Sequence, residues 1–451
     1  MYKNIVRTLL ISVFSIAIFS SSGFCAEVNK NAIVLIATYD QAGETLATGS
    51  AFLVDPEGTL VTNYHVLLDA YSANAVFLDG RSVPVEMIVK VDRTKDFAIL
   101  KIKKDFYSTL ELGDSDKIKN FDYTSALGYL TEDVQEQASG MRGSMLQTYG
   151  FLLGSHPQAN PDFNYNYTST RFGPGFSGGP LVDRNNKVVG IATVEGQSIN
   201  LALPINYVKP YLPGKGGMTF AELLKEDLVS HEADYFRGHF SLYAKGDAET
   251  AIRYFEKTLR KDPNHILAHY DLAAAFRDQG KIGEAIARYQ KVIELNPQFS
   301  EALSNLGGFY FRDGQVDKAI ESFQSAIRAY PNFIHGLSNL GAAFNKVGKS
   351  KEAIPHLQKA LALDPEFSIA YFNLGNAYFS TAQWDKAEQA FNTATSQGID
   401  FLSLHWKLVS IHEKRGHSAK AIDQLNLILQ IDPMNDEAQK KISKLTVSNI
   451  H

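Results

Sequence analysis

The chain has 451 residues, enough for two to four domains, and 45% of them are hydrophobic, which is ample for sizeable cores. A net charge of −5, with no long basic run, gives no support to nucleic-acid binding. A single cysteine, Cys25, rules out any intrachain disulfide and argues against a disulfide-rich secreted scaffold.

The first 26 residues have the layout of a signal peptide. Lys3 and Arg7 form a short basic region, Leu9 to Phe19 an apolar core about half the length of a bilayer span, and Ser20 to Gly23 a run of small residues. Cleavage near Ala26 would put Phe24 at an unusual position for a processing site, so an uncleaved membrane anchor is the other reading; Phe24 also spoils Cys25 as a lipid-attachment site. The expectation is a bacterial exported protein, periplasmic or secreted.

Residues 30–212 read as β structure. Apolar runs such as Ala32 to Ala37 and Lys187 to Val194 alternate with the turn pairs Glu57-Gly58, Asp79-Gly80 and Asn185-Asn186. Many short strands at this spacing predict sandwiches or barrels. A Pro/Gly cluster from Pro210 to Gly217 breaks the pattern, and Thr219 is placed to cap a helix through Phe220 to Val229.

From there the chain is periodic. Prolines 263, 297, 331 and 365 are 34 residues apart. Ala251, Ala285, Ala319, Ala353, Ala387 and Ala421 keep the same step, followed four residues later by Phe255, Tyr289, Phe323, Leu357, Phe391 and Leu425. Glycines 246, 280, 314, 348 and 416 mark the turn between two helices, where a left-handed cap suits glycine. This pattern resembles tetratricopeptide repeats, six of them: 232–265, 266–299, 300–333, 334–367, 368–401 and 402–435. Repeat five departs, with Ala382 for the turn glycine and Ile399 for the proline. Residues 436–451 read as a polar capping helix and tail.

Chemistry is concentrated in Gly173-Pro174-Gly175-Phe176-Ser177-Gly178-Gly179-Pro180-Leu181, one serine in a glycine-rich turn running into an apolar strand. Such a turn aims a hydroxyl outward beside backbone N–H donors, as acyl transfer requires. Serine is a weak nucleophile without a base, and His65, in Thr62-Asn63-Tyr64-His65-Val66, is the candidate. Before residue 231 the one other histidine is His156, in a segment, Gly154 to Pro161, of loop composition. An acid must orient the imidazole. Asp96, at the mouth of the strand Phe97 to Leu100, is the first choice and Asp92 the second.

Residues 45–212 thereby resemble the trypsin-like domain of the Deg/HtrA bacterial serine endopeptidases. Gly49-Ser50-Ala51-Phe52, Thr62 to Val66, Asp96 to Leu100, Gly128-Tyr129 and Gly175 to Leu181 occur in that family's order. The resemblance implies a chymotrypsin-like double β-barrel over 27–213, with His65, Asp96 and Ser177 catalytic and the Gly175 and Ser177 amides forming the oxyanion hole. It also implies that Ile191, Ala192, Thr193, Val194 and Glu195 pair with the substrate backbone. A linker and bridging helix, 214–231, would lead to the α-solenoid of repeat helix pairs.

Three departures stand out. Phe176 occupies the place where members of that family usually carry Asn or Asp, which argues against activation by an N-terminal ion pair. Repeats replace the PDZ domains that often follow such proteases. Arg171 falls near the base of the specificity pocket, where it would favour an acidic P1 side chain, or else it simply structures a loop. In the repeats, Asn305, Asn339 and Asn373 share one position and form a stripe suited to the backbone of an extended peptide, or mere repeat consensus. Tyr270, Phe372 and Trp406, one position earlier, would add apolar contacts or core. Nothing in the β half calls for a metal or organic cofactor, since its histidines are few and far apart. The resulting expectation is an exported serine endopeptidase that docks protein partners through its repeats. The rival is an inactive protease-like scaffold in which the repeats assemble partners.

Overall fold

The computed structural model describes residues 27–130, 145–157, 163–173, 175–194, 200–212, 214 and 216–448. The leader, Cys25, Pro174 and Glu195 lie outside the described residues, as do residues 158–162.

The β half folds as two closed six-stranded barrels. The first comprises β1 (Ile33–Tyr39), β2 (Thr45–Leu53), β3 (Thr59–Thr62), β4 (Ser72–Val76), β5 (Ser82–Asp92) and β6 (Phe97–Ile102), joined in the order β1-β2-β3-β6-β5-β4. The second comprises β7 (Tyr123–Tyr129), β8 (Met145–Pro157), β9 (Asn164–Thr168), β10 (Pro180–Asp183), β11 (Val188–Val194) and β12 (Asn200–Pro204), in the order β10-β11-β12-β9-β8-β7. Closure leaves no open sheet edge. This is the chymotrypsin-like double barrel.

The apolar runs Ala32 to Ala37 and Lys187 to Val194 supply β1 and β11. The turn pairs sit where they are needed: Gly58, Gly80 and Asn186 all have positive φ, in the connections β2–β3, β4–β5 and β10–β11. Ile33, Ile36, Phe52, Leu60, Ile99 and Leu100 are fully buried in the first barrel, each worth roughly 1.5–3 kcal/mol relative to an exposed side chain. The segment of loop composition around His156 is extended instead: β8 reaches Pro157, and His156 pairs across to Tyr165. Cross-strand pairing overrides the turn-forming composition there.

After the Pro/Gly break, α1 (Phe220–Asp227) begins at a capping box in which Thr219 and Glu222 satisfy each other's backbone donors. Two helix pairs follow, α2 (His231–Tyr243) with α3 (Ala248–Lys261) and α4 (Ile266–Asp278) with α5 (Ile282–Leu295). The chain divides into compact units at Ala302/Leu303, so the barrels and these first two pairs belong to one unit. Within it, α1 and α2 pack on the first barrel. Arg93, at the end of β5, holds the fully buried Asp227 carboxylate through Nε (2.8 Å) and Nη2 (2.7 Å). Arg237 on α2 grips Asp69 at 2.6 Å. The composition break at Pro210–Gly217 is therefore a covalent connection inside a compact unit.

The second unit holds α6 (Ser300–Arg312), which begins at the division, then α7 (Val316–Ala329), α8 (Ile334–Lys346), α9 (Ser350–Leu363), α10 (Ser368–Ser380), α11 (Trp384–Ser396), α12 (Leu402–Lys414), α13 (Ser418–Ile431) and α14 (Asp436–Ser448). The 34-residue alanines are all fully buried, and so, to within 2% exposure, are the large apolar residues four positions later. Close packing explains the small residues of each first helix. A Cβ on Gly307, Gly341 or Gly375 would sit 2.5–2.7 Å from the ring or branch of Phe323, Leu357 or Phe391. No helix among the described residues is long and apolar enough to cross a membrane.

Candidate active site

The two barrels meet where β3 ends and the serine turn begins. β3 runs into a short 3-10 turn, His65–Leu67. Asp96 stands before β6, fully buried, at the positive φ of 55° that disfavours an L residue. Its carboxylate overdetermines that geometry. Oδ1 accepts the His65 backbone N–H at 2.9 Å, and Oδ2 bonds His65 Nδ1 at 2.7 Å. Thr193 Oγ1 donates to the same Oδ2 from the second barrel at 3.2 Å. Asn63 Nδ2 donates to the Asp96 carbonyl at 2.7 Å. Asp92, the second choice, is occupied in its own turn, accepting from the Lys95 amide at 2.9 Å.

Ser177 is bound into the same junction by its backbone. Its carbonyl accepts the Ser50 amide at 2.7 Å, while Ser50 Oγ donates to the Gly175 carbonyl and accepts the Tyr129 amide. Gly178 has φ +86°, and a Cβ there would lie 2.3 Å from Thr62 Oγ1 and 2.9 Å from the Asn63 amide nitrogen. The turn thus presses against the two residues that precede Tyr64 and His65. Among the described residues the Gly175 and Ser177 amides donate no backbone hydrogen bond.

The strand expected beside a substrate is engaged differently along its length. Ile191 pairs with Pro180, and Ala192 exchanges backbone bonds with Gly178 and Gly179 at 2.9 and 2.8 Å. The Thr193 side chain is turned inward to Asp96. Val194 pairs across to Asn200 in β12. Glu195 lies outside the described residues. Arg171 is exposed, with its carbonyl held by Thr148 Oγ1 at 2.7 Å.

Phe176, the departure before the serine, is fully buried with Ala126, Leu181, Val189 and Ala202, and its ring stacks on Phe172. Tyr64 is buried beside Asp227. Its burial, reinforced by that carboxylate, pushes its phenol well above the usual range. Asp227 is itself raised by burial, against the pull of Arg93. Tyr129, whose amide bonds Ser50, is pushed up to about 12 chiefly by burial.

Ser50, Thr62 and Thr193 are the supports that sequence reasoning did not assign. The first two lie inside motifs already conspicuous in the chain; Thr193 was assigned to the substrate side of its strand. No sequence signal pointed to Phe236 on α2, whose ring lies over His65 with centroids 6.0 Å apart.

In the repeats, the asparagine stripe is partly used between helices. Asn339 Nδ2 donates to Ser304 Oγ at 3.2 Å, and Asn373 Nδ2 to Ser338 Oγ at 3.3 Å. Asn339 is exposed; Asn305 and Asn373 are half-buried. Tyr270 packs on Tyr289 and Phe299, Phe372 on Phe391 and Phe401, and Trp406 against the cluster of Val409, Leu425, Ile428 and Ala438.

A double barrel with an aspartate–histidine pair at the junction, and a glycine-flanked serine turn packed against the segment that leads to that histidine, is the arrangement of the trypsin-like class. Residues 49–191 match the family model of the trypsin-like peptidase domain, and residues 241–286, 270–332 and 346–400 match models of the tetratricopeptide repeat. The chain carries a trypsin-like peptidase domain followed by tetratricopeptide repeats, and the homologues of that peptidase domain are HtrA-type proteases. The mitochondrial serine protease HTRA2 of Drosophila virilis is 32% identical over 171 residues, 37% of this chain and 39% of the relative. That of Drosophila erecta is 33% identical over the same length and shares. The chain thus spans about two-fifths of the length of these relatives. A solved HtrA-type protease, AlgW with a tripeptide, is 27% identical, with 41% of this chain and 59% of that one covered at a TM-score of 0.35.

Proposed function

We propose that this chain is an exported serine endopeptidase that cleaves peptide bonds in protein substrates brought to it through the repeats. The observation that carries the reading is the 2.7 Å bond from His65 Nδ1 to a fully buried Asp96, across the barrel junction from the Ser177 turn. With Nδ1–H committed to Asp96, Nε2 is the free base. It takes the Ser177 proton as Oγ attacks the scissile carbonyl and later gives it to the leaving amine. Asp96, itself held by Thr193, orients the ring and stabilises the imidazolium. The Gly175 and Ser177 amides are the donors for the tetrahedral oxyanion. The basic, apolar and small-residue order of the leader supports export, with an uncleaved anchor as the variant form. The exposed stripe at Asn339 and its half-buried neighbours support peptide docking, and Arg171 is offered as a determinant of P1 choice.

The test is reaction with a fluorophosphonate probe and cleavage of casein. Wild-type protein should label and cleave. Ser177→Ala and His65→Ala should stay folded and do neither, apart from the residual catalysis that an oxyanion hole supplies. Undiminished cleavage by either variant removes the assignment. An unreactive wild-type chain would favour the inactive scaffold.

A further inference from the structure

We infer that Phe236, on the first repeat helix α2, is a positioning residue for His65, so that the peptidase centre is completed by the repeat domain; the inference rests on the protease reading. Phe236 is 4% exposed. Its ring lies over the imidazole at a centroid distance of 6.0 Å and an interplanar angle of 29°, and it meets Tyr64 edge-on at 5.6 Å. An imidazole fixed by a single Nδ1 bond still rotates about its Cβ–Cγ bond whenever that bond breaks. A flat, buried ring packed beside it narrows that rotation. The imidazole is then held with Nδ1 on Asp96.

The helix that carries Phe236 is fastened to both acid–base segments. Arg237, its neighbour, holds Asp69 at 2.6 Å, just beyond the turn that bears His65. The guanidinium also bonds Asp234 at 3.1 Å and the Asp227 carbonyl at 3.3 Å. Asp227 at the end of α1 in turn binds Arg93, whose carbonyl accepts the Asp96 amide. The Tyr64 ring lies under Arg93 at 5.4 Å and against Phe236. One continuous set of contacts thus runs from α2 through α1 to the segments that present His65 and Asp96. All of it lies within one compact unit.

The experiment uses full-length protein with Phe236→Leu, which keeps apolar volume without a flat face, Phe236→Tyr, which restores the ring, and Phe240→Ala as a control on the exposed next turn. Two readouts are taken: kcat and KM on a short fluorogenic peptide, and the downfield proton resonance of the His65 Nδ1–H. An aromatic contact of this kind corresponds to about three- to tenfold in rate. Phe236→Leu should lower kcat by that factor with KM unchanged, and should broaden or lose the resonance while near-UV circular dichroism stays native. Phe236→Tyr should recover both, and Phe240→Ala should change neither. Wild-type kcat and an intact resonance in Phe236→Leu overturn the inference, as does a change confined to KM, which would make Phe236 part of a substrate pocket. If the wild-type chain neither labels nor cleaves, the protease reading fails separately, and the resonance, which needs no turnover, decides whether Phe236 orders His65.

Discussion

At the scale of single residues, the junction is built from side chains that are buried for reasons of chemistry and others buried for volume. Asp96 tolerates burial because the His65 amide, its imidazole and Thr193 all donate to it. Phe176 is the opposite case. The backbone of Gly128 and an apolar cluster close around its ring. Phe176→Ala should therefore cost about 3–5 kcal/mol, read as a lower denaturation midpoint. A polar replacement would lie among Ala126, Leu181, Val189 and Ala202 and should fare no better. The substitution of Phe for Asn or Asp was plain in the sequence, but the ring's destination was not, because its neighbours Ala126, Val189 and Ala202 come from three different strands.

At the scale of elements, the repeat turns show a rule and its exception. Gly246, Gly280, Gly314, Gly348 and Gly416 have φ between +67° and +77°, and Ala382 keeps the same left-handed conformation at +58° despite its Cβ. Relief of that strain exceeds the entropy cost of glycine. Ala382→Gly should raise stability by about 0.5–1 kcal/mol, measured by chemical denaturation. The α2–α3 pair carries a pH-sensitive link. Asp234 is fully buried, which by itself would raise its pKa, but hydrogen bonds from Lys257 (2.7 Å) and Lys261 (2.8 Å) outweigh that and lower it. A lowered carboxylate stabilises the fold above its ordinary pKa, and the contribution fades as pH falls through the folded value. The gap in thermal midpoint between wild type and Asp234→Asn should be full at pH 7 and should close below about pH 4. A gap that is constant with pH would mean that Asp234 acts through packing alone.

At the scale of the whole molecule, the design proposed is cleavage at one place and capture at another. Tethering raises the effective substrate concentration at the cleft without altering the chemistry. Changing Asn305, Asn339 and Asn373 together to Ala should weaken protein-substrate binding by about a hundredfold, at about 1 kcal/mol for each neutral hydrogen bond, and should spare turnover of a short peptide. Kinetics on both substrates check this. Equal loss on both would assign the stripe to inter-repeat bonding, a role that the Asn339–Ser304 and Asn373–Ser338 bonds already occupy in part.

The sequence by itself determined much that is local or periodic, though not the strand around His156. Turn glycines, apolar runs and a strict 34-residue step each specify geometry within a few residues or one repeat, so short strands, helix pairs and the cap at Thr219 could be read directly, while the choice of barrels over sandwiches came from the family resemblance. The Ser177 and His65 segments were also legible, by their glycine-rich and apolar surroundings and by their match to the family's motif order, which favoured Asp96 over Asp92 as the acid. Only the tertiary structure decided what meets across long separations. It brought Thr193 to Asp96, 97 positions away, and Arg93 to Asp227, 134 positions away. It also laid the first repeat helix on the first barrel, with Phe236 over His65. No local pattern encodes such contacts, since a buried aromatic on a repeat helix looks the same in sequence whether it faces its own repeat or an imidazole.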